Sequence, residues 1–224
     1  MKIETFNKIF FNIIGLPCSG TTIVSKFFDS LDNGQCFSEP LHSLKVDASS
    51  FIPDLKDQFS KSQFSICGIK EVFINNIGRD RLKSIENNFD LFDLCFVVLR
   101  DPVENISSIC SKMKKLRNRE DFFENLIKSY ERLFSFVAER KPHIISYERF
   151  CDNPINEINK SLVGKHIVRG EFKLKTTYDN YIIGNPVARK STIIHSPKTR
   201  QNAISEEEKQ RIILEILPTY KKII

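Results

Sequence analysis

The sequence predicts an α/β fold: three layers around a central parallel sheet of about five strands, P-loop NTPase-like in plan. Three observations carry that prediction. Short apolar runs alternate along the chain with longer amphipathic ones. The run "FDLCFVVLR", Phe92–Arg100, is almost continuously apolar, as a strand buried on both faces of a parallel sheet must be. The first strand gives way to a glycine-bearing loop, Gly15–Thr22, that opens a helix.

Taken in order, Lys8–Ile14 reads as the first strand, followed by a helix from about Gly20 to Leu31. "GQCFSEP", Gly34–Pro40, is a short second strand ending at a polar turn, and "FSICGIK", Phe64–Lys70, is the third. Phe92–Arg100 is the fourth, and a helix is predicted from about Pro102 to Lys115, since proline suits a first helical turn. Asp121–Arg140 is helical by period: Phe122, Phe123, Leu126, Ile127, Tyr130, Leu133, Phe134 and Val137 share one stripe. "HIISYE", His143–Glu148, is the fifth strand. Lys165–Ile204 has little periodicity and eight Lys/Arg against two acids, a length of loop that is usually functional or disordered. Ser205 and Glu208 then form an S-x-x-E capping box opening a final helix to about residue 222. With no internal repeat or low-complexity linker, residues 1–224 read as one domain.

Composition bounds the function only loosely. The net charge of +6 favours an anionic ligand, but so small a surplus is no nucleic-acid footprint. Cys18, Cys36, Cys67, Cys95, Cys110 and Cys151 show no metal-ligand spacing and read as small buried hydrophobes in a reducing compartment. No segment reaches about 18 uninterrupted apolar residues, and no signal-peptide pattern opens the chain, so a soluble cytoplasmic protein is expected.

The loop Gly15–Thr22, "GLPCSGTT", has the outline of a phosphate cradle. Gly15 and Gly20 let the backbone approach an anion, and Ser19, Thr21 and Thr22 offer hydroxyls ahead of a helix N-terminus. Thr21 stands where a Walker motif has lysine, and "FVVLRDP" ends in arginine rather than a Walker-B carboxylate. That combination suggests a shorter anion held without metal by cations and hydroxyls, and it disfavours a P-loop nucleotide kinase. Arg100 ends the buried strand at the ligand edge, and Ser108 follows about two helical turns on. An arginine fork with a hydroxyl suits a phosphomonoester, the alternative being an Arg100 paired with Asp101 or another nearby acid.

"GLPCSGTT", "LRDPVENISS" and "ISYERFCDNP", in that order, resemble the motifs of the PAPS-dependent sulfotransferases, which use 3′-phosphoadenosine 5′-phosphosulfate. The resemblance implies that Gly15, Pro17, Cys18, Ser19, Gly20, Thr21 and Thr22 hold the phosphosulfate, and that Arg100 and Ser108 hold the 3′-phosphate. It makes the basic tail a loop closing over the nucleotide, with Arg189 and Lys190 as further phosphate contacts and Lys198 and Arg200 behind them. "CFSEPLHSL" is similar to a segment of carbohydrate sulfotransferases, with Ser38 intervening between Phe37 and Glu39. Glu39 is the candidate general base, His42 the alternative, and Lys70, at a strand end, either faces the cleft or reaches solvent.

Cys18 is the departure: the family pattern has Lys or Arg there. Another cation substitutes, from Lys70 or the basic tail, or backbone donors suffice at a reduced rate, or the protein binds nucleotide without turnover. A redox-sensing thiol at the helix N-terminus is a remoter alternative. The expected activity is sulfuryl transfer to a hydroxyl acceptor, a carbohydrate or small metabolite, with no metal, nucleic-acid or membrane partner. The alternative is a non-catalytic PAPS- or PAP-binding protein on the same fold.

Overall fold

The structure is a computed structural model that describes residues 2–4, 8–43, 47–77, 80–162, 167–169 and 203–224. In chain order the strands are β1 (Lys2–Glu4), β2 (Ile9–Gly15), β3 (Gly34–Ser38), β4 (Ile66–Val72), β5 (Leu94–Leu99), β6 (His143–Ser146) and β7 (Ile167–Arg169). The helices are α1 (Thr21–Asp29), α2 (Pro40–Ser43), α3 (Ala48–Lys61), α4 (Arg81–Asn87), α5 (Pro102–Lys112), α6 (Lys114–Arg117), α7 (Phe122–Arg140), α8 (Tyr147–Asp152), α9 (Pro154–Ser161), α10 (Glu206–Arg211) and α11 (Leu217–Ile223).

Five strands form one all-parallel sheet in the order β3-β4-β2-β5-β6. β2 is central, its Gly15 lying opposite Val72 of β4 and Val98 of β5. Between β4 and β5 the chain crosses from one side of β2 to the other, so the crevice beyond the end of β2 is the topological switch point. The two faces of β2 separate cleanly. Phe10 and Ile14 join Cys67, Ile69, Val97 and Leu99 in a core closed by α3, α4, α5 and α7. Ile9, Phe11 and Ile13 join Ile66, Phe96, Val98 and Ile145 in a second, closed by α1, α8 and α9. This period-2 split of a strand with no exposed face is what makes its sequence read as an unbroken apolar run.

The expected elements are present, with shifted ends. β6 stops at Ser146, because the Ser146 hydroxyl accepts from the Arg149 amide and caps α8 in place of a continuing strand. α5 ends at Lys112 and breaks at Met113 before α6. The last helix contains a widened π-turn, Ile212–Ile216, just before Pro218, which has no N–H to give and would crowd the Leu214 carbonyl. The antiparallel pair β1–β7 and the helices α3, α4 and α9 are elements that the sequence reading leaves unassigned. Among the described residues, no helix is long and apolar enough to cross a membrane.

Cys36, Cys67, Cys95 and Cys110 are buried, and burial pushes the Cys67 and Cys95 thiols up to about 12 and that of Cys110 to about 11. They behave as packing groups, as expected. Cys18 and Cys151 do not fit that reading, since both are partly exposed.

Candidate active site

The loop after β2 has most of its carbonyls already occupied by donors from within the protein. The Leu16 carbonyl accepts from the Ser19 amide at 3.2 Å, and that of Gly20 from the amides of Ile23 and Val24. Asn105 Nδ2, wholly buried on α5, donates to the Pro17 carbonyl at 2.9 Å, and Arg100 Nη1 donates to that of Cys18 at 3.2 Å. Tyr130 on α7 fixes the amide of Asn105 by donating to its Oδ1 at 2.7 Å. The amides of Thr21 and Thr22, the first two of α1, precede the first bonds of the helix ladder, no side chain caps the helix at Gly20, and no acid lies in its first turn. Such an end attracts an anion.

Two glycines are required there by space. A Cβ on Gly15 would sit 2.7 Å from Ser19 Oγ and 2.9 Å from the Val98 carbonyl oxygen. Gly20 has φ of 100°, and a Cβ on it would run into the Tyr147 ring. Cys18 holds the left-handed region too, with φ of 64°, at the loop apex.

Arg100 lies at the end of β5, 8% exposed, with its guanidinium 5.1 Å from the Tyr147 ring centroid and Nη2 3.6 Å from Glu104 Oε2. It pairs with Glu104 and not with Asp101, whose carboxylate caps α5 by accepting from the Glu104 amide. Glu148, beyond the end of β6, holds this turn by accepting from the Asp101 amide at 2.9 Å. Ser108 is buried on α5, two turns beyond that cap. Buried polar atoms without a hydrogen-bond partner occur here: Ser19 Oγ, Arg100 Nε and Glu104 Oε2. The first two are donors.

The second half of the site lies along the same sheet edge. Glu39, which follows β3, has φ of 53° and donates its amide to the Lys70 carbonyl at 2.6 Å. Lys70 Nζ returns to Glu39 Oε1 at 2.6 Å, and at 1% exposure it does not reach solvent. Burial raises the Glu39 carboxyl, but the charge and hydrogen bond of Lys70, then the Arg81 and His42 charges, outweigh it and hold Glu39 below its ordinary value. His42 is exposed on α2. Glu71, the next residue of β4, is fully buried, and burial pushes its carboxyl up to about 8.

The structure thus brings Gly15–Thr22 together with Arg100, and Glu39 together with Lys70. Arg189, Lys190, Lys198 and Arg200 lie outside the described residues. Glu71 and Arg81 are site residues that the sequence reading misses, whereas Asn105, Tyr147 and Glu148 lie in the quoted runs "LRDPVENISS" and "ISYERFCDNP" but are given no role there. Of the two missed, only Glu71 left a signal, as a second charge beside Lys70 in an otherwise apolar strand.

No protein-family model and no curated protein matches the sequence. Solved structures do. The chain is similar to a sulfotransferase domain of the olefin synthase from Synechococcus PCC 7002, with TM-score 0.52, 13% identity, and 92% of this chain and 94% of that one covered. It is similar to a sulfotransferase from Alicyclobacillus acidocaldarius, with TM-score 0.51, 12% identity and coverage of 98% and 95%. A mouse sulfotransferase complexed with PAP matches with TM-score 0.50, 11% identity and coverage of 97% and 84%. The chain has the fold that these sulfotransferases share.

Proposed function

We propose that this protein is a sulfotransferase that moves a sulfuryl group from PAPS to a hydroxyl-bearing acceptor, a carbohydrate or small metabolite. The observation that carries the reading is a pair of buried donors without a hydrogen-bond partner, Ser19 Oγ in the loop and Arg100 Nε at the end of β5, together with the uncapped N-terminus of α1. A ligand that carries one anionic group for the loop and another for the arginine is what such a cradle lacks. The mouse neighbour, complexed with PAP, fits a ligand of that chemistry.

In this reading the loop amides and the hydroxyls of Ser19, Thr21 and Thr22 hold the 5′-phosphosulfate, and Arg100 with Ser108 holds the 3′-phosphate. Arg189 and Lys190 of the basic tail add contacts to the nucleotide. PAPS, when bound, supplies the sulfuryl group. Glu39 takes the proton of the acceptor hydroxyl, whose oxygen forms the new bond to sulfur as the bond from sulfur to the 5′-phosphate oxygen breaks. Lys70 neutralises Glu39 in the resting site and brings the cationic charge that Cys18 does not.

Following the melting temperature against 3′,5′-ADP and against ATP–Mg²⁺ tests the nucleotide assignment. At a hundredfold excess over Kd, 3′,5′-ADP stabilises the protein by about 2.7 kcal/mol. Stabilisation by ATP–Mg²⁺ alone overturns the reading. The second reading, a binding protein without turnover, is favoured by Cys18, an uncharged loop apex whose carbonyl already occupies Arg100. Cys18→Arg separates the two. With Lys70 as the working cation, the variant leaves sulfuryl turnover within a few-fold of the native rate. A gain of roughly 10²–10³-fold means that the native loop lacks an essential charge.

A further inference from the structure

Four charged side chains meet at the ends of β3 and β4. Lys70 and Glu71 are consecutive in β4 and leave opposite faces of the sheet. Lys70 leaves beside Ile66 and Gly68, toward α1, and Glu71 beside Cys67 and Ile69, toward α3 and α4. Arg81, the first residue of α4, spans the gap: its Nη1 lies 3.9 Å from Glu39 Oε2 and 3.8 Å from Glu71 Oε2. The neighbouring acid, Asp80, is not available to it. Its carboxylate accepts from Arg132 at 2.9 and 3.1 Å and from the Lys83 amide at 3.0 Å. Arg81 is 9% exposed, and its Nε and Glu71 Oε2 are both buried without a hydrogen-bond partner.

The backbone is held at the same place. The Glu39 amide donates to the Lys70 carbonyl, and the Leu41 amide donates to Glu71 Oε1 at 2.6 Å. The left-handed Glu39 is therefore clamped on both sides by two consecutive residues of β4. A non-glycine residue at φ of 53° costs free energy and persists only where its surroundings over-determine it.

We propose that Arg81 and Glu71 are positioning residues for Glu39: Glu71 fixes the turn that presents the carboxylate, and Arg81 lends Glu39 a second cation. The functional part of this inference rests on Glu39 as the base, but the electrostatic part stands without it. Glu39 is faced by Lys70 from β4, Arg81 from α4 and His42 from α2, and Glu71 by Arg81, Glu39 and Lys70. Burial keeps Glu71 protonated to about 8, so at neutral pH Arg81 is left to Glu39. Once Glu71 ionises, it competes for Arg81, and the hold on Glu39 loosens.

The test needs neither PAPS nor acceptor. In protein labelled with ¹³C at glutamate Cδ, with the two resonances assigned from Glu39→Gln and Glu71→Gln, the Glu39 carboxylate is titrated directly. Arg81→Gln raises the Glu39 midpoint by roughly one pH unit, and Arg81→Lys, which keeps the charge, restores most of that shift. The native Glu39 resonance shows a second, smaller step as Glu71 titrates near 8, and Glu71→Gln removes it. A Glu39 curve in Arg81→Gln that superimposes on the native one overturns the proposal. If that variant does not fold, Glu71→Gln decides, and a Glu39 resonance identical to native across pH 6–9 overturns it equally. Failure of 3′,5′-ADP to bind would sink the sulfotransferase reading and leave this titration unaffected, so the two are distinguishable.

Discussion

Arg100→Ala is expected to weaken 3′,5′-ADP binding by roughly 10²-fold or more, the largest effect on affinity foreseen for a single substitution in this site. The size follows from removing one side of a buried, charge-assisted contact, which leaves the opposite charge desolvated and unpaired. Arg100 also has a second task, since Nη1 holds the Cys18 carbonyl and the guanidinium packs on Tyr147. Arg100→Lys separates charge from shape: it keeps the cation and loses the fork, and an intermediate loss is expected. Ser108→Ala, a neutral donor on a charged ligand, should cost about tenfold. Calorimetric titration with 3′,5′-ADP reads all three. Undiminished affinity in Arg100→Ala would remove the arginine from the nucleotide site and with it the main support for the functional reading.

The part of this site that was legible in the sequence is the part that local backbone rules dictate. A buried strand, a loop needing glycine at Gly15 and Gly20, and a helix opened without a side-chain cap leave a contiguous pattern. Arg100 was legible for the same reason: a charge ending an unbroken apolar run has to lie at a sheet edge. The parallel sheet followed from β5, whose six residues are all buried. What the sequence concealed depends on packing between distant segments. Asn105 reaches Pro17 across 88 residues, and Tyr130 reaches Asn105 only because α5 and α7 cover the same face of the sheet. Arg81 follows an acid and opens an ordinary short helix, and only the fold places its guanidinium between Glu39 and Glu71.

The missed helices have a different cause. In α3, the buried Ala48, Ile52, Leu55 and Phe59 keep helical spacing, but Pro53 and a polar majority mask the stripe. In α9, Asn153 caps and Pro154 opens a helix of eight residues, too short for periodicity to speak. Both helices are held by packing against the sheet more than by their own propensity.

Glu39→Gln is expected to reduce sulfuryl transfer by about 10²–10⁴-fold while leaving 3′,5′-ADP affinity within a few-fold, the separation that a base beside a nucleotide site demands. At 1% exposure Lys70 loses its 2.6 Å partner in this variant, and a buried charge left alone costs roughly 3 kcal/mol of stability. Glu39→Gln with Lys70→Met removes both charges, so its melting temperature should recover while turnover stays lost. A double variant that regained turnover would assign the base elsewhere, with His42 the nearest alternative. The pH dependence supplies an independent check with a fixed sign. Burial raises the Glu39 carboxyl, but Lys70 and Arg81 bring it below its ordinary value, so the folded state binds its proton less readily than the unfolded chain. The contribution of the pair to stability is therefore fully present above the ordinary carboxylate range and is lost as pH falls through the depressed folded value. Native protein should lose more melting temperature on acidification than Glu39→Gln, and the native rate should be independent of this group at neutral pH, declining only in acid. A native rate that instead fell with a midpoint between pH 6 and 7 would point to an imidazole, and His42→Gln would then carry the loss predicted here for Glu39→Gln.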